Sequence, residues 1–375
     1  MFVFNQTRSL AALQKYLGTE NLLNFRTIGI WGAVYASALV MIETCPSSQR
    51  ELKGIVSSSR YASGALKACM LNQANHLDTA VGTIIPQYRP AQFGERQKKH
   101  RSSIDFFESG AIKSAALDEQ LPLQTSLGII GAELVTFYEN GSINRIFPLN
   151  GLIDGYWSEK NEFDRADDMS FDLPIGRFSV KVISIHFYPN GDIKSVTFWP
   201  GQTAMIKTPV GIMECRAGFS LYEGGAVRSV EPKQAVELST PIGSVRAFDP
   251  DIIGMHADSN SIHFNTDGSL RAFKTIHTGV RVTQADQNET VVEPFEMASF
   301  VDPSQLCTVP IAVEFNGDEV QISGQSPSVF SLKACIFETF LRERTFRATC
   351  GDCPGDETCC QNGGDGDGCG GCGGC

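Results

Sequence analysis

Residues 185–196 read IHFYPNGDIKSV, and residues 206–211 read IKTPVG. An alternating run from Ile185 to Tyr188 reaches Asn190-Gly191, and Ile193 to Val196 return from it. Glycine takes positive φ at such a turn without steric cost, so the pair between two alternating runs signals a β-hairpin. Thr208-Pro209-Val210-Gly211 then couples a proline of fixed φ to a glycine two residues on, which is turn chemistry between two further short strands.

The pattern recurs around Gly64, Gly110, Gly141, Gly225 and, in weaker form, Gly268. The second glycine follows the first by 18 residues from Gly64 to Gly82, Gly110 to Gly128 and Gly225 to Gly243, and by 20 from Gly191 to Gly211. A fixed period marks a repeat architecture. Each copy supplies several short strands, and little helix is expected between residues 50 and 300. The predicted class is mainly β: tandem antiparallel β-hairpin repeats in an extended open sheet or solenoid-like array, with short helices at the N-terminus and near the C-terminus.

A strand period of two assigns the faces. Ile104, Val135, Ile185, Phe219 and Ile262 share a side with Phe106, Phe137, Phe187, Leu221 and Phe264, and this stripe is the expected core. The opposite side carries Phe107, Tyr138, Tyr188 and Tyr222 and, past each turn, Lys67, Lys113, Lys194, Arg228 and Arg271. Stacked in register, these make an aromatic row beside a cationic one. Tyr138, Tyr188, Tyr222, Lys113, Lys194 and Arg228 are the candidate contacts to a partner, since repeat arrays engage partners through repeated rows. Exposed strand faces also favour Tyr and Lys for β-propensity and solubility alone.

The segments FYPNGDIK at 187–194, FYENGSI at 137–143 and LYEGGAVR at 221–228 resemble the MORN-repeat variant of bacterial proteins, over about residues 50–275. The resemblance implies a Tyr-x-x-Gly hairpin repeated into an extended antiparallel sheet used for protein or lipid contact. The usual second Gly-x-Gly strand is missing here, and the Thr-Pro-x-Gly elements at 208 and 240 lie outside that pattern.

Two irregularities interrupt the period. Between Gly141 and Gly176 the spacing is 35, and the inserted loop holds Tyr156-Trp157 and the acidic residues Glu159, Glu162, Asp164, Asp167 and Asp168. Long loops in compact repeats are often functional, so Trp157 joins the candidate partner contacts. Asp249, Asp251, His256 and Asp258 form a second cluster that either binds a divalent cation or caps a turn. His186 and His263 occupy equivalent repeat positions on the face away from the core.

Seven of the 12 cysteines, Cys350, Cys353, Cys359, Cys360, Cys369, Cys372 and Cys375, fall in the last 26 residues. Cys350-x-x-Cys353 and Cys369-x-x-Cys372-x-x-Cys375 let thiolates converge on one centre, which suits Zn²⁺ or an iron–sulfur cluster. With QNGGDGDG between the pairs, metal would have to supply nearly all the ordering free energy. A disordered tail is the alternative, as are disulfides if the chain is exported.

The remaining cysteines are dispersed singly, which fits a reducing compartment and makes the cytoplasm the expected location. Residues 27–41 read TIGIWGAVYASALVM, shorter than the ~20 residues that span a bilayer. They are read as a buried or accessory helix, as a signal or anchor with Ala36-Ser37-Ala38 at a cleavage site, or as an extension outside the working protein. The net charge of −11 argues against nucleic acid as the partner, and membrane contact is not expected. No phosphate loop, dinucleotide fingerprint, His-Glu-x-x-His or nucleophile elbow is present, so the chain is read as non-catalytic.

The expected organisation is an N-terminal helical or accessory segment (1–48), a hairpin-repeat domain (49–300), a hairpin around Asn316-Gly317 with a capping helix from Ser328 to Arg344 whose Phe330, Ala334, Phe337 and Leu341 share one face (301–346), and a metal-binding tail (347–375). The function expected is a scaffold that binds another protein through its sheet and senses, buffers or delivers metal. The alternatives are an iron–sulfur accessory protein docking a larger enzyme and an exported structural repeat protein.

Overall fold

Two recurring turns fold the chain. In the first, the amide of a glycine donates to the carbonyl of the residue three before it, as from Gly141 to Tyr138 and Gly191 to Tyr188, both at 2.9 Å. Gly191 has φ +90°, and the strand register slips between His186 and Phe187. This is a turn closed by a left-handed residue that makes a bulge, a geometry glycine adopts without a Cβ penalty. In the second, a threonine side chain closes a two-residue tip. Thr79, Thr125, Thr208 and Thr240 each donate Oγ1–H to the carbonyl of Gly82, Gly128, Gly211 and Gly243 at 2.7 Å. The same oxygen accepts the amide of the second tip residue at 3.1–3.3 Å.

The computed structural model describes residues 51–90, 96–99, 102–252, 260–298 and 306–342. They form two units, one of residues up to 234 with 250–271, the other of 235–249 with those from 272 on. The cysteine tail, the apolar stretch at 27–41, and the boundaries expected near residues 48, 300 and 346 lie outside the described residues.

In chain order the first unit begins with β1 (Ile55–Arg60), β2 (Leu66–Leu71), β3 (Leu77–Thr79), β4 (Gly82–Ile84), β5 (Ile104–Phe106), β6 (Ile112–Thr125), β7 (Gly128–Phe137) and β8 (Ile143–Phe147). It continues with α1 (Glu159–Arg165), β9 (Asp168–Leu173), β10 (Gly176–Phe187), β11 (Ile193–Phe198), β12 (Thr203–Thr208), β13 (Gly211–Leu221) and β14 (Val227–Pro232). After β15 (Val236–Thr240) and β16 (Gly243–Ala247), which belong to the second unit, β17 (Ile262–Phe264) completes it. Neighbours pair antiparallel in the order β1-β2-β5-β6-β7-β8-β10-β11-β13-β14-β17. The ends do not pair with each other, so the sheet is open and not a barrel. Three of the four threonine-closed tips belong to arms that project from it: β3–β4, the outer halves of β6 and β7, and β12 with the start of β13.

The apolar stripe expected from the sequence is the core. Ile104, Val135, Ile185, Phe219 and Ile262 are fully buried, with Phe106, Phe137, Phe187, Leu221 and Phe264 beside them. Each buried phenylalanine contributes about 2–3 kcal/mol relative to exposure. Phe178, Phe198 and Phe219 meet edge to face around β10, β11 and β13.

The second unit holds β15, β16, β18 (Leu270–Thr275) from Ala272 on, β19 (Thr278–Thr283), β20 (Glu289–Val292), β21 (Phe295–Ala298), β22 (Leu306–Val309), β23 (Ile311–Asn316), β24 (Glu319–Ser323), β25 (Pro327–Ser331) and β26 (Ile336–Leu341). The hairpin expected around Asn316-Gly317 is β23–β24. The expected capping helix is not formed. A turn closed by the Cys335 amide on the Ser331 carbonyl separates β25 from β26, and β26 pairs along β19 from Thr278↔Leu341 to Thr283↔Ile336. Phe330, Ala334, Phe337 and Leu341 share a helical spacing, but aromatic and β-branched residues in IFETFL favour a strand once a partner strand is available.

The insertion after Gly141 is more ordered than a loop. Ser158 caps α1, accepting the Asn161 amide while Asn161 Oδ1 accepts the Ser158 amide, a capping box. No helix among the described residues is long and apolar enough to cross a membrane.

Candidate functional site

The bulge at the glycine turns of Gly64, Gly110, Gly141, Gly191 and Gly225 sets an aromatic ring on the face away from the core. Tyr61 donates its hydroxyl to the carbonyl of Phe106, Tyr138 to Phe187, Tyr188 to Leu221 and Tyr222 to Phe264, at 2.8–3.0 Å. In every case the acceptor immediately precedes the first residue of the next turn, which is aromatic in the first three and Asn265 in the last. The hydroxyls therefore stitch successive hairpins together. Phe107 occupies the same position and has no hydroxyl, so the series is interrupted there.

The cationic row lies over the aromatic one. Lys67 sits over Tyr61, Lys113 over Phe107, Lys194 over Tyr188 and Arg228 over Tyr222, each 5.6–5.8 Å from the ring centroid. Such pairs contribute about 0.5–1 kcal/mol at exposed sites. The structure thus brings together Tyr138, Tyr188, Tyr222, Lys113, Lys194 and Arg228 in two adjoining rows. The rows were legible in the sequence, whereas the bonding of the hydroxyls to neighbouring hairpins was not.

A third row, next to these, follows the register residue by residue. Asp105 pairs with Ser114, then Thr136, Arg145, His186, Ser195, Ser220, Ser229 and His263. Its members bond laterally: Ser114 to Asp105 at 2.5 Å, Ser220 with Ser229 at 2.6 Å, and Asn260 to Ser229 at 2.9 Å. His186 Nδ1 faces Arg145 at 2.9 Å, and Nε2 faces Asn144 Oδ1 at 2.9 Å. Arginine can only donate, so Nδ1 accepts and the ring proton sits on Nε2. His186 and His263 lie on β10 and β17, with three strands between them, and do not meet.

Trp157 does not join these rows. Its Nε1 donates to Glu162 at 2.7 Å, within a buried ion cluster. Arg96 grips Glu133 through two bonds of 2.8–2.9 Å and also engages both oxygens of Glu162. The Asn150 and Gly151 amides complete the two carboxylates at 2.7 Å. Burial alone would raise the Glu162 carboxyl, but hydrogen bonds from Arg96 and Trp157, the Arg96 charge and the Gly151 amide hold it below its ordinary range. A Cβ on Gly151 would collide with that carboxylate, so the close approach requires glycine. The cluster ties the inserted segment to the sheet.

Of the second acidic group, Asp249 is buried and meets Lys274 at 3.2 Å, while His256 and Asp258 lie outside the described residues. Among the described residues no three His, Cys, Asp or Glu side chains converge on a point that could hold a metal. The seven tail cysteines also lie outside them. Cys69 and Cys215 are buried thiols.

Beside the interruption at Phe107 is a half-open cavity of about 280 Å³, lined by Thr79, Ala80, Gly110–Ile112, Phe137 and Glu139–Gly141. Comparison with protein families, with curated proteins and with solved structures finds no match to this chain.

Proposed function

We propose that this chain is a non-catalytic β-repeat scaffold that binds another protein through the outer face of its first sheet. The supporting observation is the stitched row of tyrosines under cations. The Tyr188 hydroxyl bond to the Leu221 carbonyl fixes the spacing of Lys194 and Arg228, and Lys113 extends the row across the interruption at Phe107, which gives a cationic stripe on a chain of net charge −11. Such a stripe suits an acidic protein surface, and the resemblance to MORN-type repeats points the same way. Reversing all three charges to Glu abolishes binding of the partner under this reading and leaves the fold intact, because the cations are not core residues. Retained binding by the folded triple variant would refute it.

The Cys/Gly-rich segment adds a thiolate site for Zn²⁺ or an iron–sulfur cluster, proposed from Cys350, Cys353, Cys359, Cys360, Cys369, Cys372 and Cys375. Elemental analysis of the full chain beside one ending at Arg347 tests it. Equal metal content in the two removes the site, and visible absorbance of the full chain alone identifies a cluster.

A further inference from the structure

The arms dock on the sheet by a rule, and one dock is empty. The tip of the β6–β7 arm rests on the turn at Tyr188–Gly191, where Ser126 donates to the Gly191 carbonyl at 2.6 Å and lies 3.8 Å from where a Gly191 Cβ would stand. The tip of the β12–β13 arm rests on the turn at Asn265–Gly268, with Pro209 3.4 Å from the corresponding position. Each tip skips one glycine turn and meets the next. The equivalent turn for the β3–β4 tip is Tyr138–Gly141, which the tip faces across the cavity, with Ala80 in the place of Ser126 and Pro209. There a Gly141 Cβ would have no atom within 4 Å, and the cavity of about 280 Å³ takes the place of the contact.

The chemistry of this site differs from that of its filled equivalents. Its wall is apolar, from Phe137, Ile112 and Ala111. Glu139 lines it where the equivalent residues are Pro189 and Thr266, and Glu139 makes no ion pair among the described residues. The volume lies just below the ~300–1,000 Å³ typical of small-molecule sites, so only a small group fits. An apolar lining with one carboxylate at its edge complements a cation on a short hydrocarbon stem.

We propose that this cavity binds an alkylammonium group, either a free primary amine or a lysine side chain of another protein, with the ammonium on Glu139 and the stem against Phe137 and Ile112. The test is methyl NMR of the full chain titrated with n-butylammonium, with Nα-acetyl-lysine N-methylamide as a second arm and n-butanol as the neutral control. Saturable shifts at the Ala80, Ala111 and Ile112 methyls are expected with the ammonium probes. Butanol binds about tenfold more weakly, and Glu139→Gln loses about tenfold for the ammonium, an effect of ~1.4 kcal/mol. Ala80→Pro, which copies the tip sequence at Thr208–Gly211, fills the cavity and abolishes binding, with methyl shifts elsewhere reporting an intact fold. Response to the lysine probe alone assigns the site to a protein side chain, and response to both admits free amines. Absence of saturable shifts with either amine, equal affinity for butanol, or undiminished binding in folded Ala80→Pro overturns the proposal.

Discussion

The hydroxyl of Tyr188 donates to the carbonyl of Leu221 at 3.0 Å, across 33 residues of sequence. That bond joins two turns which share no strand, so it acts between repeats and not within one. Removing it by Tyr188→Phe leaves the ring and the overlying Lys194 in place. The cost is about 1 kcal/mol, seen as a fall of about 2–4 °C in Tm. The reverse substitution is available at the interruption: Phe107→Tyr places a hydroxyl where the rule directs it at the Phe137 carbonyl. A gain of about 0.5–1.5 kcal/mol in urea denaturation is expected, and a loss would show that the acceptor geometry is not repeated there.

The Arg96 cluster behaves differently because its charges are buried. Arg96→Met leaves Glu133 and Glu162 without their shared cation and costs about 3–5 kcal/mol, since uncompensated buried charge is the expensive case. Gly151→Ala forces the Glu162 carboxylate away from its amide and destabilises as well. Both are read from urea midpoints at neutral pH, with an unchanged m-value confirming that the native state is otherwise retained.

Acid dependence follows from the same carboxylates. Burial would raise Asp118, but hydrogen bonds from the Arg89 side chain and the Arg89 and Tyr88 amides hold it low; Glu162 is held low by Arg96 and Trp157. A folded value depressed below the unfolded one gives stability that is complete above the unfolded value of about 4. It is lost as pH falls through the folded values. Denaturant midpoints should therefore fall steadily below pH 4, and the fall should be smaller in Glu162→Gln, which has one fewer carboxylate to protonate.

The sheet and its core were legible because each strand carries its own evidence. Ile185 and Phe187 alternate with His186 whatever lies beside them, and Gly191 marks its own turn. The site was legible only in part. Tyr188 could be placed on the outer face by parity, but its acceptor is chosen by a strand 33 residues away. Arg96 meets Glu162 across 66 residues, and nothing local to either announces the pair. The β25–β26 segment shows the opposite failure: a local helical spacing at Phe330, Phe337 and Leu341 gave way to pairing with β19, which supplies backbone partners that a spacing argument does not see. The cavity at Gly141 was beyond reach, because it is a contact that two other repeats make and this one omits.

Burial also sets the thiol chemistry. It pushes Cys69 up to about 11, with the Asp105 charge adding to the effect, and Cys215 up to about 12, with Glu231 and Glu214 adding. A raised thiol favours the folded state fully below the unfolded value of about 8.5, and that contribution is lost as pH rises toward 11–12. In native protein at pH 8, iodoacetamide should modify the partly exposed Cys307 and Cys335 well before Cys69 and Cys215, as read by peptide mass mapping. Equal rates would mean that the sheet opens locally at β2 and β13.

The threonine tips permit a comparison that needs no change of core. Thr208 and Thr240 make the same two bonds, Oγ1–H to a glycine carbonyl at 2.7 Å and the amide of the second tip residue to Oγ1 at 3.2–3.3 Å. Replacing either with Val keeps the branched shape and removes both bonds, at a cost of about 1–2 kcal/mol. The consequences diverge beyond the tip. Pro209 touches the turn at Gly268, so Thr208→Val should also raise amide exchange at Gly268, which sits in a different hairpin. Thr240 adjoins Gly243, whose Cβ position lies 2.8 Å from Thr339 Oγ1 on β26, so Thr240→Val should instead raise exchange along β26. Exchange confined to the mutated tip in both cases would show that the arms fold independently of the turns they touch.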